Sequence, residues 1–341
     1  MIQQKIDQYV AVDAGQGNGS QQLLLTIDVE DWFQVENFRQ IINPSSWPSF
    51  ESRVERNTYR LLELFSEIHA PSANTIADPQ NNDFNCLTPK AISHKPGIHA
   101  TFFILGWVAE RMPRLVREIH SLGHEVASRG FNHELAVQCQ LEVLKNDLID
   151  SKKLLEDIIG GPVYGYRAPS FSINENILRL IEETGFMYDS SYNSFSANSR
   201  YGKVDLSGSE NVGIAKKISS GFYELPISNI EWAGLVLPAG GGGYFRLYPL
   251  CLFALGVRMM LRKKNAYVFY LHPWEIDDEQ PRVREASGLS RFRHYVNIDE
   301  TLGKFSEFIK RFKYYEFPTC KQYLDGFLTK FCAEHHEGGH K

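Results

Sequence analysis

Cysteine is scarce in this chain of 341 residues. The five present, Cys86, Cys139, Cys251, Cys320 and Cys332, are scattered, odd in number and never in a C-x-x-C pair. That argues against a disulfide framework or a thiolate zinc site and fits a reducing compartment, so the expected location is cytoplasmic. Excess positive charge is missing too. The formal net charge is −5, which leaves no footprint for nucleic acid. Residues 1–21 lack the basic start, apolar run and small-residue cleavage site of a secretory signal, and read as a polar segment rich in Gln and Gly. No apolar run crosses a bilayer comfortably. The strongest, residues 248–261, is interrupted by Gly256 and closed by Arg262, Lys263 and Lys264. It reads as a buried helix, with a helix lying on a membrane surface as the lesser alternative.

What is present, 43% hydrophobic and 23% charged residues, supports a large core. Residues 23–28 (LLLTID) form a short apolar run that reads as a buried strand. A helix is signalled from residue 49, with Val54, Thr58, Leu61, Phe65 and Ile68 on one face. Residues 71–97 then break every pattern with Pro, Asn, Asp and Ser, and read as an insertion, a loop or a lid. Residues 99–105 (HATFFIL), 125–128, 163–166, 186–188 and 266–271 (AYVFYL) read as further strands. Helices between them stop at Gly123, Gly160 and Gly185, the last capped by Asn174. This alternation predicts an α/β fold of parallel strands with helices outside, wound into a barrel or an open sheet. One such unit accounts for residues 22–333. Residues 334–341, with His335, His336 and His340, read as a polar, solvated tail.

The polar groups fall at strand ends. Asp28 ends the first strand, His133 follows the third, Arg167 the fourth and Asp189 the fifth, and His272 ends a late one. Loops after parallel strands gather on one face, so these residues converge, and their types are those of a hydrolytic site. Asp28 can take a proton from water, with Arg167 keeping it ionised. Asp28→Asn is then expected to abolish turnover and to spare the fold. His272 held by Asp189 would have the tautomer and raised pKa of a proton donor. Taken singly, each has a structural reading: a turn aspartate, a surface arginine, a core histidine.

LLTIDVEDWF (24–33), ATFFILGW (100–107), GHEVASRGFNHE (123–134), YRAPSF (166–171), YDSS (188–191) and YLHPW (270–274) follow one another in order. They resemble the motifs of the polysaccharide deacetylases, the carbohydrate esterases with a NodB-homology domain. GGGYFRLYP (241–249) and EIDDEQPR (275–282) resemble the C-terminal extension of a subfamily associated with exopolysaccharide gene clusters. The resemblance spans residues 22–331 and implies a distorted (β/α) barrel. It also implies metal-assisted removal of N-acetyl groups from a carbohydrate polymer or its precursor. By it, Asp28 is the base, Arg167 orients that base, His272 protonates the leaving amine and Asp189 orients His272. Arg129, Pro169 and Trp274 would meet the substrate.

The metal site departs from the family pattern, which has two histidines at i and i+4 after the third strand and a carboxylate beside the base. Here the second is His133, but the first falls on Arg129, which has no lone pair to donate, and Val29 stands beside Asp28. Glu30 is the substitute, since residues 28 and 30 of an extended strand point the same way, and Asp31 is the alternate if the strand ends early. Glu30, His133 and water could hold a divalent ion such as zinc weakly. Alternatively Arg129 pairs with Glu30 and supplies the positive charge itself. Three functions stay open: an N-deacetylase of carbohydrate, a non-catalytic carbohydrate-binding homologue, and a hydrolase of a small amide. An open groove favours the first and a narrow pocket the third. The sequence leaves the polymer and the oligomeric state unassigned.

Overall fold

Alternation along β1 (Gln22–Val29) sets the two sides of the fold. Leu23, Leu25 and Ile27 join the core under the helices, with Phe102, Phe269, Leu61, Phe65 and Phe305. Leu24 packs on the other side with Phe103, Ala127, Tyr188 and Val268, which fill the interior. The computed structural model describes residues 21–68, 98–195, 201–232 and 235–337, with side chains as far as 329 except at Trp232. The insertion expected at 71–97, most of the N-terminal segment and residues 338–341 lie outside the described residues, as do the side chains of His335, His336 and His340.

The remaining strands are β2 (Ala100–Ile104), β3 (Glu125–Ser128), β4 (Gly165–Tyr166), β5 (Tyr188–Asp189), β6 (Glu210–Val212), β7 (Ala215–Lys217), β8 (Tyr223–Glu224), β9 (Ile230–Trp232), β10 (Leu235–Leu237) and β11 (Ala266–Leu271). The nine-stranded sheet runs β11-β1-β2-β3-β4-β5-β8-β7-β6, and β9 pairs with β10 separately. From β11 to β8 neighbouring strands are parallel; β7 and β6 return antiparallel. Residues 225–228 and 239–241 bridge the space between β8 and β11 by isolated contacts. The Leu225 N–H donates to Asp189 O at 2.7 Å, and the Tyr270 N–H donates to Gly240 O at 2.8 Å. The Ser228 hydroxyl accepts from the Val268 N–H at 2.9 Å. The outcome is a distorted (β/α) barrel. Its seam requires glycine: a Cβ on Gly241 would lie 1.9 Å from Tyr270 O, and φ there is +139°.

The helices end where their chemistry dictates. Gly160 stops Leu141–Ile159 in the left-handed conformation. The Asn174 side chain accepts from the Ile177 N–H at 3.0 Å and opens Glu175–Glu183. The apolar run near 250 becomes the helix Leu250–Lys264, which buries Phe253, Val257 and Leu261 and leaves Leu252, Leu255 and Met259 exposed. Among the described residues no helix is long and apolar enough to cross a membrane. Helix Cys320–Glu337 continues into the stretch expected as a polar tail, anchored by buried Tyr323 and Leu324.

Candidate active site

One guanidinium ties the two carboxylates of the first strand end together. Arg129, just past β3, donates from Nη1 to Asp28 Oδ2 at 2.6 Å and from Nε to Glu30 Oε2 at 2.9 Å. Arg167, just past β4, donates from Nη1 to the other Asp28 oxygen at 2.8 Å and to Thr26 Oγ1 at 2.8 Å. Its Nε and Nη2 are fixed by the Ser190 carbonyl and hydroxyl, both at 2.9 Å. All four charged side chains are buried. Burial alone would raise the Asp28 carboxyl, but Arg129 and Arg167, helped by His272, outweigh it and hold Asp28 below its usual value. Glu30 is likewise held well below its own, by Arg129 and His133 against burial.

His133 reaches the cluster through a strained turn. Its φ is +54°, and Gly130 before it stands at +75°, where a Cβ would meet Asp147 Oδ1 at 2.7 Å. That aspartate accepts the Phe131 N–H and pins the loop. His133 Nε2 lies 2.8 Å from Glu30 Oε2 without hydrogen-bond alignment, and neither ring nitrogen has another partner.

His272, just past β11, has Nε2 at 3.7 Å from Asp28 Oδ2 and 3.6 Å from Glu30 Oε1. Its Nδ1 lies 3.0 Å from Glu275 Oε2. Glu275 in turn accepts from the buried Arg246 Nε at 3.0 Å, and Arg246 spends its remaining donors on the carbonyls of Arg293, His294 and Val296. Burial would depress the His272 imidazole, but Glu30, Glu275 and Asp28 together raise it. Trp274 donates from Nε1 to Glu30 Oε1 at 3.3 Å and stacks between His272 and His294, centroids 5.3 and 4.2 Å away.

Three expected roles are corrected by this geometry. Asp189 does not hold His272: its oxygens accept from the Ser191 hydroxyl at 2.6 Å and the Ser191 N–H at 3.1 Å, and it faces Glu224 across the β5–β8 register. Burial and the charge of Asp189 push the Glu224 carboxyl well above its usual value. Asp31 is no metal ligand. It points away from Glu30 and accepts from the Ser52 hydroxyl and the Arg53 and Val54 N–H groups, holding the start of helix Val54–Glu67. Pro169 is buried and begins a short turn, and Ser170 and Phe171 after it line the cavity instead. Sequence reasoning missed Glu275, Arg246 and Glu224. Glu275 had a signal, since a glutamate three residues beyond His272, with Pro between, has the spacing of a capping box.

The site opens to solvent as a cavity of about 620 Å³ with Phe171, Tyr201, Tyr244, Tyr270 and Trp274 on its walls. Unpartnered His133 would suit an ion, but the donor set around it does not. The carboxylate oxygen beside its ring, Glu30 Oε2, is one that Arg129 takes, as it takes Asp28 Oδ2, and a guanidinium cannot ligate. Among the described residues no group of three or more His, Cys, Asp or Glu side chains could hold a metal ion. The divalent metal implied by the resemblance therefore finds no fitting site among the described residues.

The family profile described as "Polysaccharide deacetylase" matches residues 84–188, and one described as "Domain of unknown function (DUF3473)" matches 190–324. Residues 84–188 are thus similar to the polysaccharide deacetylases. The two matched stretches are not separate units. Arg129, His133 and Arg167 lie in the first, Arg246, His272 and Glu275 in the second, and the site needs both. A peptidoglycan-N-acetylglucosamine deacetylase of Bacillus cereus is 34% identical over 87 residues, 26% of this chain and 40% of the relative. A peptidoglycan deacetylase of Helicobacter pylori is 29% identical over 155 residues, 43% of each chain. The chain thus spans less than half the length of these curated relatives. The fold matches that of a crystal structure titled as a polysaccharide deacetylase from Mycobacterium smegmatis (TM-score 0.53, 17% identity, 92% of this chain and 93% of that one). It also matches Puue allantoinase (TM-score 0.54, 13% identity, 92% of each).

Proposed function

We propose that the protein hydrolyses N-acetyl amides on a carbohydrate chain or its precursor. The observation that carries this reading is the buried Asp28 carboxylate, held ionised by two guanidiniums with His272 Nε2 3.7 Å away, directly behind Glu30, Arg129 and His272, which line an open cavity with aromatic walls. A water attacks the acetyl carbonyl carbon and gives its proton to Asp28. Arg129, which lines the cavity beside His272 and Glu30, is the cation available to the developing oxyanion. His272 then protonates the amide nitrogen as the C–N bond breaks, releasing acetate and a free amine. A carboxylate held this low is a weak proton acceptor, so most of the rate must come from positioning and polarisation. The volume of the cavity, about 620 Å³, and its opening to solvent favour a glycan over a small amide, and the relatives named as peptidoglycan deacetylases support the same substrate class. The test is acetate release from N-acetylated oligosaccharides by purified protein. Tight binding of these oligosaccharides with no acetate released would instead establish a carbohydrate-binding homologue.

Glu275 supplies a second check. The donor form of His272 is protonated, so the rate falls as pH rises through its pKa, which is raised above the ordinary 6.5. Glu275→Gln removes one of the charges responsible. The alkaline limb of the pH–rate profile is expected to move to lower pH, with a rate loss of about ten- to a hundredfold, the worth of one charge-assisted hydrogen bond. An unmoved limb would detach Glu275 from His272.

A further inference from the structure

The catalytic cavity adjoins a second basin of about 570 Å³, and Phe292 and Val296 line both. Arg282, Arg284 and Arg291 stand on the basin's walls, and no carboxylate does. Arg293 lines the catalytic cavity beside the shared Phe292. Between residues 282 and 293 the sequence sets these four arginines against the single carboxylate of Glu285, in a chain whose net charge is −5. All four are exposed, and none forms an ion pair among the described residues, whereas Arg53, Arg129, Arg167 and Arg246 all do.

The segment that carries them is firmly held. Buried Arg246 donates to the carbonyls of Arg293, His294 and Val296, and through Glu275 ties them to His272. Ser287 caps the helix Gly288–Tyr295, accepting the Ser290 N–H at 3.1 Å. The Arg282 guanidinium rests 4.4 Å above the Tyr295 ring, whose hydroxyl is fixed by Val283 and Pro281. Clustered like charges without counter-ions repel one another, and a bound oxyanion relieves that repulsion. A guanidinium matches carboxylate and phosphate with two parallel hydrogen bonds. Phe292, 55% exposed between the two spaces, offers a flat apolar face on the path from one to the other.

We propose that this basin is an anion subsite, which binds carboxylate or phosphate groups on the part of the substrate next to the sugar in the catalytic cavity. The substrate class becomes an acidic or phosphorylated glycan. The identity of the neighbouring sugar rests on the deacetylase reading, but the anion site does not.

Calorimetric titration tests it with three probes: oligogalacturonate for carboxylates, inorganic pyrophosphate for phosphates, and a neutral chito-oligosaccharide. At least one anionic probe is expected to bind at low salt and to weaken steeply as salt screens the basin. The paired substitution Arg282→Gln with Arg291→Gln is expected to weaken that probe about tenfold or more and to leave the neutral one unchanged. Arg284→Glu should weaken it further. Which anionic probe follows the arginines identifies the group recognised. Absence of binding by both at low salt, or affinity indifferent to these substitutions, overturns the proposal. Acetate release from neutral glycans without such binding would sink the subsite and keep the deacetylase. The reverse result would sink the deacetylase and keep the subsite.

Discussion

Asp28→Asn is expected to lower acetate release by about a hundredfold or more and also to destabilise the fold by about 3–5 kcal/mol. The first effect follows from chemistry, because an amide cannot accept the proton of the attacking water. The second follows from the structure and corrects the expectation, drawn from strand position alone, that the change spares the fold. Asp28 gives one oxygen to Arg129 at 2.6 Å and the other to Arg167 at 2.8 Å, and all three side chains are buried. Asparagine presents an oxygen to one guanidinium and an N–H₂ group to the other. A donor then faces a donor, and two buried cations share one remaining acid, Glu30, which reaches only Arg129. Urea unfolding measures the cost beside the assay. An unchanged midpoint would show that the bridge contributes nothing to stability, and wild-type acetate release would remove Asp28 from the mechanism.

Arg129→His is the second large change, and its outcome depends on zinc. Without metal the variant should unfold more readily by about 3–5 kcal/mol, since Asp28 and Glu30 lose the cation that separates and neutralises them. With zinc the freed Asp28 and Glu30 oxygens, His133 and the new imidazole form a nitrogen–oxygen donor set of the kind that holds the ion. Zinc at about a hundred times its dissociation constant would return about 2.7 kcal/mol of stability. Wild-type protein should show no such shift, and its acetate release should survive a chelator, because Arg129 already occupies the carboxylate oxygens. Equal stabilisation of wild type and variant by zinc would overturn this account of the site.

The arrangement of Asp28 and Glu30 was open to reading in the sequence. An alternating strand places every second residue on one face, and both carboxylates meet the same guanidinium. Glycine stops and the Asn174 cap were legible for the same reason, since they act within a few residues of chain. The hairpins of β6, β7, β9 and β10 were not, because strands of three residues carry too little periodicity to register.

Sequence alone determined which chemical groups gather at the mouth of the barrel, because parallel strands deliver their following loops to one end. Only the tertiary structure decided which of them touch. Strand register sets Asp189 beside Glu224, and a short turn after β11 brings Glu275 back onto His272. One residue of offset along the chain carries Asp31 away from Glu30 and onto the start of a helix more than twenty positions later. Arg129 bridges Asp28 and Glu30 because β2 seats β3 at the distance a guanidinium spans, and Arg246 reaches Glu275 from a stretch that precedes it by a full helix and strand. Partners so far apart in the chain are chosen by register and loop closure, to an accuracy of an ångström or so, and no local pattern of residues encodes that.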